Sequence, residues 1–303
     1  MIRDNLIQNN NCPICETQNI IDRNEIGSKH KEIHNIFSLK ECRSCGHKFL
    51  SKFPKEEYLN ELYNNNSKYV FGHDPREEND KKKFKINGFD NVLPFKNHWI
   101  LNFLNLDDKG EYLEIGPGLC RLYKTFYKRN WSCEGLELQP FIKAPGMTNN
   151  FKNIKNSTKN VAVALDVIEH TIDPIKFLND VNLKLKENGM LFLTFPNSDS
   201  FKSKLLNNKW DMVVPLAHLN FFSKKSIRLS LKKANFLLIY IKEFSLVSPK
   251  RLLKNFLKLP FKLLKDLITF DLISFKSRVK EFIFCFLDII NGDQMKIVAK
   301  KIK

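Results

Sequence analysis

The chain lacks any run of about 18 apolar residues, the length a helix needs to cross a bilayer, so no spanning helix is expected. Its opening stretch, Met1 to Asn11, is polar and has none of the apolar character of a secretory signal. An intracellular, cytoplasmic protein is therefore expected. No internal repeat is present, which sets aside repeat architectures. A disulfide framework is also missing. Of the seven cysteines, Cys12, Cys15, Cys42 and Cys45 form two close pairs, while Cys120, Cys133 and Cys285 are scattered. Acidic residues are the scarcer charge, 33 against 50 Lys and Arg, for a formal charge of +17. Two explanations compete. One is a phosphate-bearing partner: nucleic acid, a nucleotide-linked substrate or an anionic membrane surface. The other is composition drift, because the chain is crowded with the Lys, Asn, Ile and Phe that A/T-rich coding DNA favours. Charge alone does not choose between them.

A chain of 303 residues, 43% of them apolar, can bury a sizeable core, and the length suits one large domain with one small one. Residues 1–55 hold the paired cysteines, 56–108 form a charged, Asn-rich segment expected to be helical, and 109–303 alternate short apolar runs with helical patterns. Strands are expected at Glu111–Ile115, Trp131–Leu138, Val161–Leu165, Met190–Phe195, Phe236–Ile241 and Gln294–Lys300. Helices are expected at Leu119–Arg129, Pro174–Leu185 (stopped by Asn188-Gly189) and Ser226–Ala234. This alternation predicts an α/β fold with a parallel sheet wound on both faces.

Cys12-Pro-Ile-Cys15 and Cys42-Arg-Ser-Cys45 are Cys-x-x-Cys knuckles, each able to offer two thiolates to one tetrahedral zinc, with Gly46 easing the turn after the second. A redox pair needs only one such knuckle. A small four-cysteine zinc ribbon is expected. It could grip nucleic acid, or staple a segment too small for its own core.

Glu114-Ile-Gly116-Pro-Gly118-Leu-Cys120 follows a strand and opens a helix. Glycines let the backbone approach a ligand, and the helix start offers free N–H groups to a carboxylate. Glu137 lies about 20 residues on, at the end of the next strand, where an acid meets ribose hydroxyls in doubly wound sheets. A dinucleotide and S-adenosylmethionine both fit, as does an ordinary turn without a ligand. Against a dinucleotide, the third glycine is missing, and an acid at 114 would repel a pyrophosphate yet could accept from the ammonium of a methionine moiety.

With these residues stand Asp166-Val-Ile-Glu169-His170-Thr-Ile-Asp173-Pro174, then Glu187-Asn-Gly189, a strand and Pro196-Asn197, then His218-Leu-Asn-Phe-Phe-Ser223, Ala234-Asn-Phe236 and a closing Gly292-Asp-Gln-Met-Lys-Ile-Val-Ala-Lys300. Together, over roughly 109–303, they resemble the class I S-adenosylmethionine-dependent methyltransferases, most of all the small-molecule branch that includes sugar and quinone-precursor enzymes. The resemblance implies a Rossmann-like seven-stranded sheet. It implies that Glu114, Gly116 and Gly118 surround the methionine part of the cofactor, that Glu137 holds the ribose, and that Asp166 lies beside cofactor and substrate. Sugar-pathway methyltransferases of this type often begin with a zinc ribbon followed by a Tyr-rich stretch, a layout that Tyr58, Leu62, Tyr63 and Tyr69 match loosely. Cys120 stands where a glycine is common, and no acid after the third strand presents itself for the adenine amino group.

Methyl transfer needs alignment, a dry pocket and, for a hydroxyl or carbon acid, a base. His170 and His218 are the candidate bases, each weighed against a purely structural histidine. Asp166, Glu169 and His170 could instead hold a divalent metal, as a similar cluster does in some quinone-precursor relatives. Against this, adjacent residues on an α-helix diverge by about 100°. The expected acceptor is a small molecule, a sugar or glycan-pathway intermediate linked to a nucleotide or lipid. The alternatives are rRNA or tRNA methylation, with ribbon and basic surface gripping phosphates, and a non-catalytic cofactor-binding protein of the same fold. RNA base methylation is disfavoured because the Asn/Asp-Pro-Pro-aromatic loop common in base-amine methyltransferases is replaced by Asp166-Val-Ile-Glu169. An insertion at 247–290 carries Leu252, Leu253, Phe256, Leu257, Leu263, Leu264, Leu267 and Ile268 at helical spacing, with Lys254, Lys258, Lys262 and Lys265 on another face and a bend at Pro260. It reads as a lid helix, over 250–268 as a peripheral contact with the inner membrane face, or as a contact with RNA.

Overall fold

The computed structural model describes residues 3–26, 36–65, 88–105, 109–245, 261, 274–276, 278–279, 283 and 292–302. Tyr69, Cys285 and the lysine-bearing face expected within 247–290 lie outside the described residues. No helix among the described residues is long and apolar enough to cross a membrane.

The N-terminal part supplies β1 (Leu6–Gln8), β2 (Ile20–Glu25), β3 (Ser38–Cys42), β4 (Lys48–Leu50), β5 (Lys52–Pro54) and α1 (Glu56–Asn65). The larger part supplies β6 (Glu111–Ile115), α2 (Arg121–Tyr127), β7 (Ser132–Leu136), β8 (Met147–Thr148), β9 (Lys159–Leu165) and α3 (Pro174–Lys184). It continues with β10 (Leu185–Pro196), α4 (Phe201–Leu206), β11 (Asn220–Phe221), α5 (Lys224–Lys233), β12 (Phe236–Phe244) and β13 (Gln294–Lys301).

Seven strands make one Rossmann-like sheet in the order β12-β13-β10-β9-β6-β7-β8. The strands from β8 to β10 run parallel, as expected. The uniformly parallel sheet read from the sequence is corrected at one place. β13 slides between β10 and β12 and pairs antiparallel with both. β10 also starts earlier than expected, at Leu185, and crosses Asn188-Gly189 as an irregularity in its register with β9.

Alternating side chains split the sheet into two faces, as the period of two requires. Leu113, Ile115, Ala162, Ala164, Leu191, Leu193, Ile297 and Ala299 point to the face covered by Phe177, Leu178 and Val181 of α3 and Ile227 and Leu231 of α5. Tyr112, Val161, Val163, Phe192 and Val298 point to the other, against Leu122, Tyr123 and Phe126 of α2. Both faces being covered explains why the parallel strands read as continuous apolar runs. Two of the helices on this face start on side-chain caps. Asp173 accepts from the Lys176 N–H before α3, and Ser223 and Ser226 form a reciprocal capping box before α5.

The second sheet is composite. Its order is β11-β4-β3-β2, so residues 220–221 complete a sheet otherwise built by the N-terminal segment. Ile14, Ile26, Phe37, Leu39, Phe49 and Leu50 belong to the same continuous core as α3 and α5. The cysteine segment is therefore packed into the larger part of the chain, as its size demands.

Phe192 is fully buried at the sheet centre, edge-on to Trp99 and Phe103. Phe192→Ala should cost about 3–5 kcal/mol, read as a lower urea midpoint with an unchanged slope in denaturant unfolding.

Candidate functional site

Strand order reverses at β6, which has β7 on one side and β9 on the other. At such a switch the loops leaving the strands' carboxyl ends go opposite ways and open a crevice. Glu114, Glu137 and Asp166 all lie at these strand ends.

Glu114 is buried one residue before the end of β6, and the Tyr112 hydroxyl donates to its Oε2 at 2.9 Å. Tyr112 is itself fixed by stacking on Phe126 of α2, ring centroids 4.0 Å apart. Burial pushes the Glu114 carboxyl up to about 8, against the pull of the Tyr112 hydrogen bond. The next turn is left-handed at three residues: Gly116 (φ +67°), Gly118 (φ +49°) and Cys120 (φ +54°). A Cβ at Gly116 would sit 2.7 Å from Val167 Cγ2, whereas one at Gly118 would meet no atom within 4 Å and would project into open space. The left-handed backbone at Cys120 is the physical reason a glycine is common there. Glu137 follows β7 and its N–H donates to Thr148 O. Burial raises its carboxyl, opposed by the backbone of Gln139, Gly118 and Leu138, so the side chain lies against the glycine turn. Asp166 follows β9 with φ +55°, held by its N–H donating to Thr194 O and by the Thr194 hydroxyl donating to Oδ1 at 2.9 Å. A non-glycine residue kept in that region stores strain, which is common where a side chain must be aimed. Nothing in the sequence had marked Thr194, an ordinary position within an apolar strand.

These residues fit S-adenosylmethionine. A buried carboxyl in want of a cation suits an ammonium, a turn free of Cβ atoms at Gly118 admits a ligand against its backbone, and an acid across that turn suits a ribose. The segment after β7 that lacked an adenine-binding acid contains the short strand β8 and a 3₁₀ turn at Phe151–Asn153 capped by Asn150.

The two candidate bases, 48 positions apart in sequence, are brought together. The rings of His170 and His218 meet edge to face with centroids 4.9 Å apart. His170 Nδ1 donates to Ala217 O at 2.8 Å and His218 Nδ1 donates to Met212 O at 2.6 Å, because a carbonyl can only accept. In the neutral ring of His218 the lone pair therefore lies on Nε2, while His170 has the backbone of Asp166 as a second partner. Burial, aided by His218, pushes His170 down to about 3, and burial also lowers His218. Both are neutral at pH 7, as a proton acceptor must be.

Glu169 joins them. A carboxylate oxygen of Glu169 and one ring nitrogen of each histidine lie within 4.8 Å of one another, a spacing that could hold a metal ion. The expectation that Glu169 and His170 diverge assumed an α-helix. They lie instead on a 3₁₀ turn, Ile168–His170, and His218 arrives from another loop to complete the group. Asp166 is not part of it. Glu169 is 1% exposed and neither carboxyl oxygen has a hydrogen-bond partner. Burial first, and Asp166 second, hold its carboxyl well above the usual range.

The four cysteines of the two knuckles also converge. Their sulfurs lie within 4.8 Å of one another, with Cys12 to Cys45 at 3.6 Å and Cys15 to Cys42 at 3.4 Å. Tetrahedral zinc with ligands at about 2.3 Å needs sulfurs about 3.8 Å apart, while a disulfide needs about 2.05 Å. The set fits a zinc ion. Gly46, at φ +71°, turns the chain after the second knuckle, as read from the sequence.

A family model described as a methyltransferase domain matches residues 90–241, just over half of the chain. The chain belongs to this family. No curated protein matches it. Among solved structures it is similar to Haemonchus contortus phosphoethanolamine N-methyltransferase 2 in complex with S-adenosyl-L-methionine, at 16% identity and a TM-score of 0.49, covering 84% of this chain and 63% of that one. It is also similar to a SAM-dependent methyltransferase from Archaeoglobus fulgidus, at 15% identity and 0.44, covering 65% of this chain and 88% of that one. A third is an S-adenosylmethionine-dependent methyltransferase from Mesorhizobium loti, at 10% and 0.44, covering 67% and 95%.

Two predictions follow from the buried groups. Purified without chelators, the protein should carry one zinc per chain by metal analysis, and Cys12→Ser or Cys42→Ser should lose it. Glu114 is neutral when buried and its folded pKa lies above its unfolded one, so ionising it opposes folding as pH rises from 4.5 through about 8. Glu114→Gln should therefore gain stability relative to the parent over that interval, by at most about 1.4 kcal/mol per pH unit, measured by urea unfolding at a series of pH values.

Proposed function

We propose that this protein transfers a methyl group from S-adenosylmethionine to a small-molecule acceptor, a sugar or glycan-pathway intermediate carried on a nucleotide or a lipid. The observation that carries the reading is the placement of Glu114, Glu137 and Asp166 at the ends of three neighbouring strands beside a left-handed glycine turn, with a histidine pair starting on the loop just after Asp166. S-adenosylmethionine supplies the methyl in an already activated form. Glu114 would bind its ammonium, Glu137 its ribose, and the Gly116–Gly118 turn would let the backbone approach it. Asp166, held rigidly by Thr194, would orient the neighbouring acceptor. His218, through the lone pair at Nε2, or His170 would take the proton an acceptor hydroxyl or carbon acid must lose. Glu169 has a carboxyl oxygen within 4.8 Å of a ring nitrogen of each histidine and would accept a hydrogen bond from the imidazolium that forms. The acceptor class rests on the family resemblance of the His218-Leu-Asn-Phe-Phe-Ser segment and on the ribbon-first layout. The cysteine cluster would hold a structural zinc.

The test has two stages. In calorimetry S-adenosylmethionine should bind one to one and nicotinamide cofactors should not. Affinity should rise with pH toward 8, because an ammonium at Glu114 draws the proton off that carboxyl. Protein, labelled cofactor and separate pools of sugar nucleotides, envelope glycolipids and undermodified RNA should then label a sugar-containing pool. His218→Ala or His170→Ala should lower that rate by about 10²-fold or more while cofactor affinity stays the same. Label in the RNA pool alone would overturn the acceptor class, and binding without any labelled pool would favour a non-catalytic cofactor-binding protein.

A further inference from the structure

The chain bearing His218 is held on both sides, and one side is the cysteine segment. Leu219 donates its N–H to Glu169 O at 2.8 Å, while its carbonyl accepts from the Leu50 N–H at 3.1 Å. Asn220 and Phe221 then pair as β11 with Phe49 and Lys48 of β4. One buried side-chain relay runs beside this backbone ladder. Asn220 Nδ2 donates to Thr171 O at 2.6 Å, just after the turn that holds Glu169 and His170. That orientation turns Asn220 Oδ1 toward His47 Nε2, 3.1 Å away, so His47 is the donor. His47 is fully buried, its ring set against Phe49 and Phe222, and it lies two residues after Cys45 in the second knuckle. The knuckle also touches the start of α5, where the Ser223 hydroxyl donates to Cys45 O at 3.4 Å and Lys225 Nζ donates to Ser44 O.

Asn220 and His47 are both fully buried polar side chains. Asn220 joins the His47 ring to Thr171 O, and the His47 carbonyl accepts from the Cys42 N–H, so the knuckle is tied to the relay through the His47 backbone. A structural staple requires only that the knuckle fold, and the apolar core and the β4–β11 ladder already join the segment to the rest. The side-chain relay adds a fixed register between the cysteine cluster and the Thr171 and His218 loops. We propose that His47 and Asn220 are positioning residues through which the metal-filled cysteine cluster sets the geometry of Glu169, His170 and His218. This rests on the reading of that group as the proton-accepting part of the methyltransferase site.

The experiment follows the seven histidines by NMR in ring-labelled full-length protein, His170 and His218 being assigned by their Gln variants. Asn220→Ala and His47→Phe should keep the bound zinc and bind S-adenosylmethionine within about twofold of the parent. They should nevertheless shift or broaden the imidazole signals of His170 and His218. His47→Gln, which keeps a donor, should restore them. With the acceptor in hand, kcat should fall about tenfold or more while KM changes less, the pattern of a misplaced group rather than lost binding. Lys233→Ala, which breaks the exposed ion pair with Glu16 on the same segment, should leave the signals unmoved. Should the Ala and Phe variants fail to fold, removing zinc from the folded parent with a chelator should produce the same shifts. Imidazole signals that overlay the parent in Asn220→Ala, or in the zinc-free parent, would overturn the proposal and leave the methyltransferase reading intact. Failure of the parent to bind S-adenosylmethionine would remove that reading and leave the signal shifts to judge the coupling alone.

Discussion

The reversal of strand order at β6 is the constraint on which the rest depends. Because β7 and β9 flank β6 on opposite sides, the chain must leave the three strands in diverging directions, and no helix can cover the gap between their carboxyl ends. Whatever those ends carry is placed around one crevice. Glu114 arrives on β6, Glu137 just past β7 and Asp166 just past β9. The backbone pays for the sharpness of these exits with left-handed residues at 116, 118, 120 and 166, two of which are not glycine. The site is thus built mainly by topology, and the side chains have only to be long enough to reach inward.

Burial then decides the charge state. Glu114 and Glu169 are both pushed toward the neutral acid, and His170 and His218 toward the neutral base. In a protein carrying +17 overall, burial thus works against charge on the four groups that would do its chemistry. A neutral site costs little to fold and leaves each group able to change state when a ligand brings its own charge. An ammonium favours the ionised Glu114, and a proton given up by an acceptor favours imidazolium beside Glu169.

The sequence was most legible where the local period and the packing agree. The apolar runs at 161–165 and 190–195 and the capped helix at 174–184 were readable because both sheet faces are covered and Asp173-Pro174 starts a helix by its own chemistry. The cysteine knuckles and the glycine turn were readable because their ligands come in fixed local spacing. What could not be read was set by contacts distant in sequence. β8 is two residues long and carries no periodicity, and β11 is a strand only because β4 lies beside it. The edge-to-face meeting of His170 with His218 depends on Ala217 O and Met212 O, two backbone atoms that no pattern of side chains announces. The reversed β13 was missed for a related reason, since an apolar run fits a strand of either direction equally well.

The same dependence on distant partners explains why the cysteine segment is joined to the loop that carries His218. A segment with two knuckles and a few short strands is too small for a core of its own. One solution is a metal alone. The chain adds a second, lending Asn220 and Phe221 as an extra strand and merging Phe49 and Leu50 into the core beneath α3 and α5. That loan is taken from the loop immediately after His218, so the residues that complete the small sheet are also those that fix a candidate base. Any disturbance of the knuckle large enough to release β11 must move Leu219, and Leu219 holds Glu169 through its N–H. Joining the small sheet at this loop, rather than at a remote edge, makes the order of the cysteine segment and the order of the histidine pair a single mechanical problem.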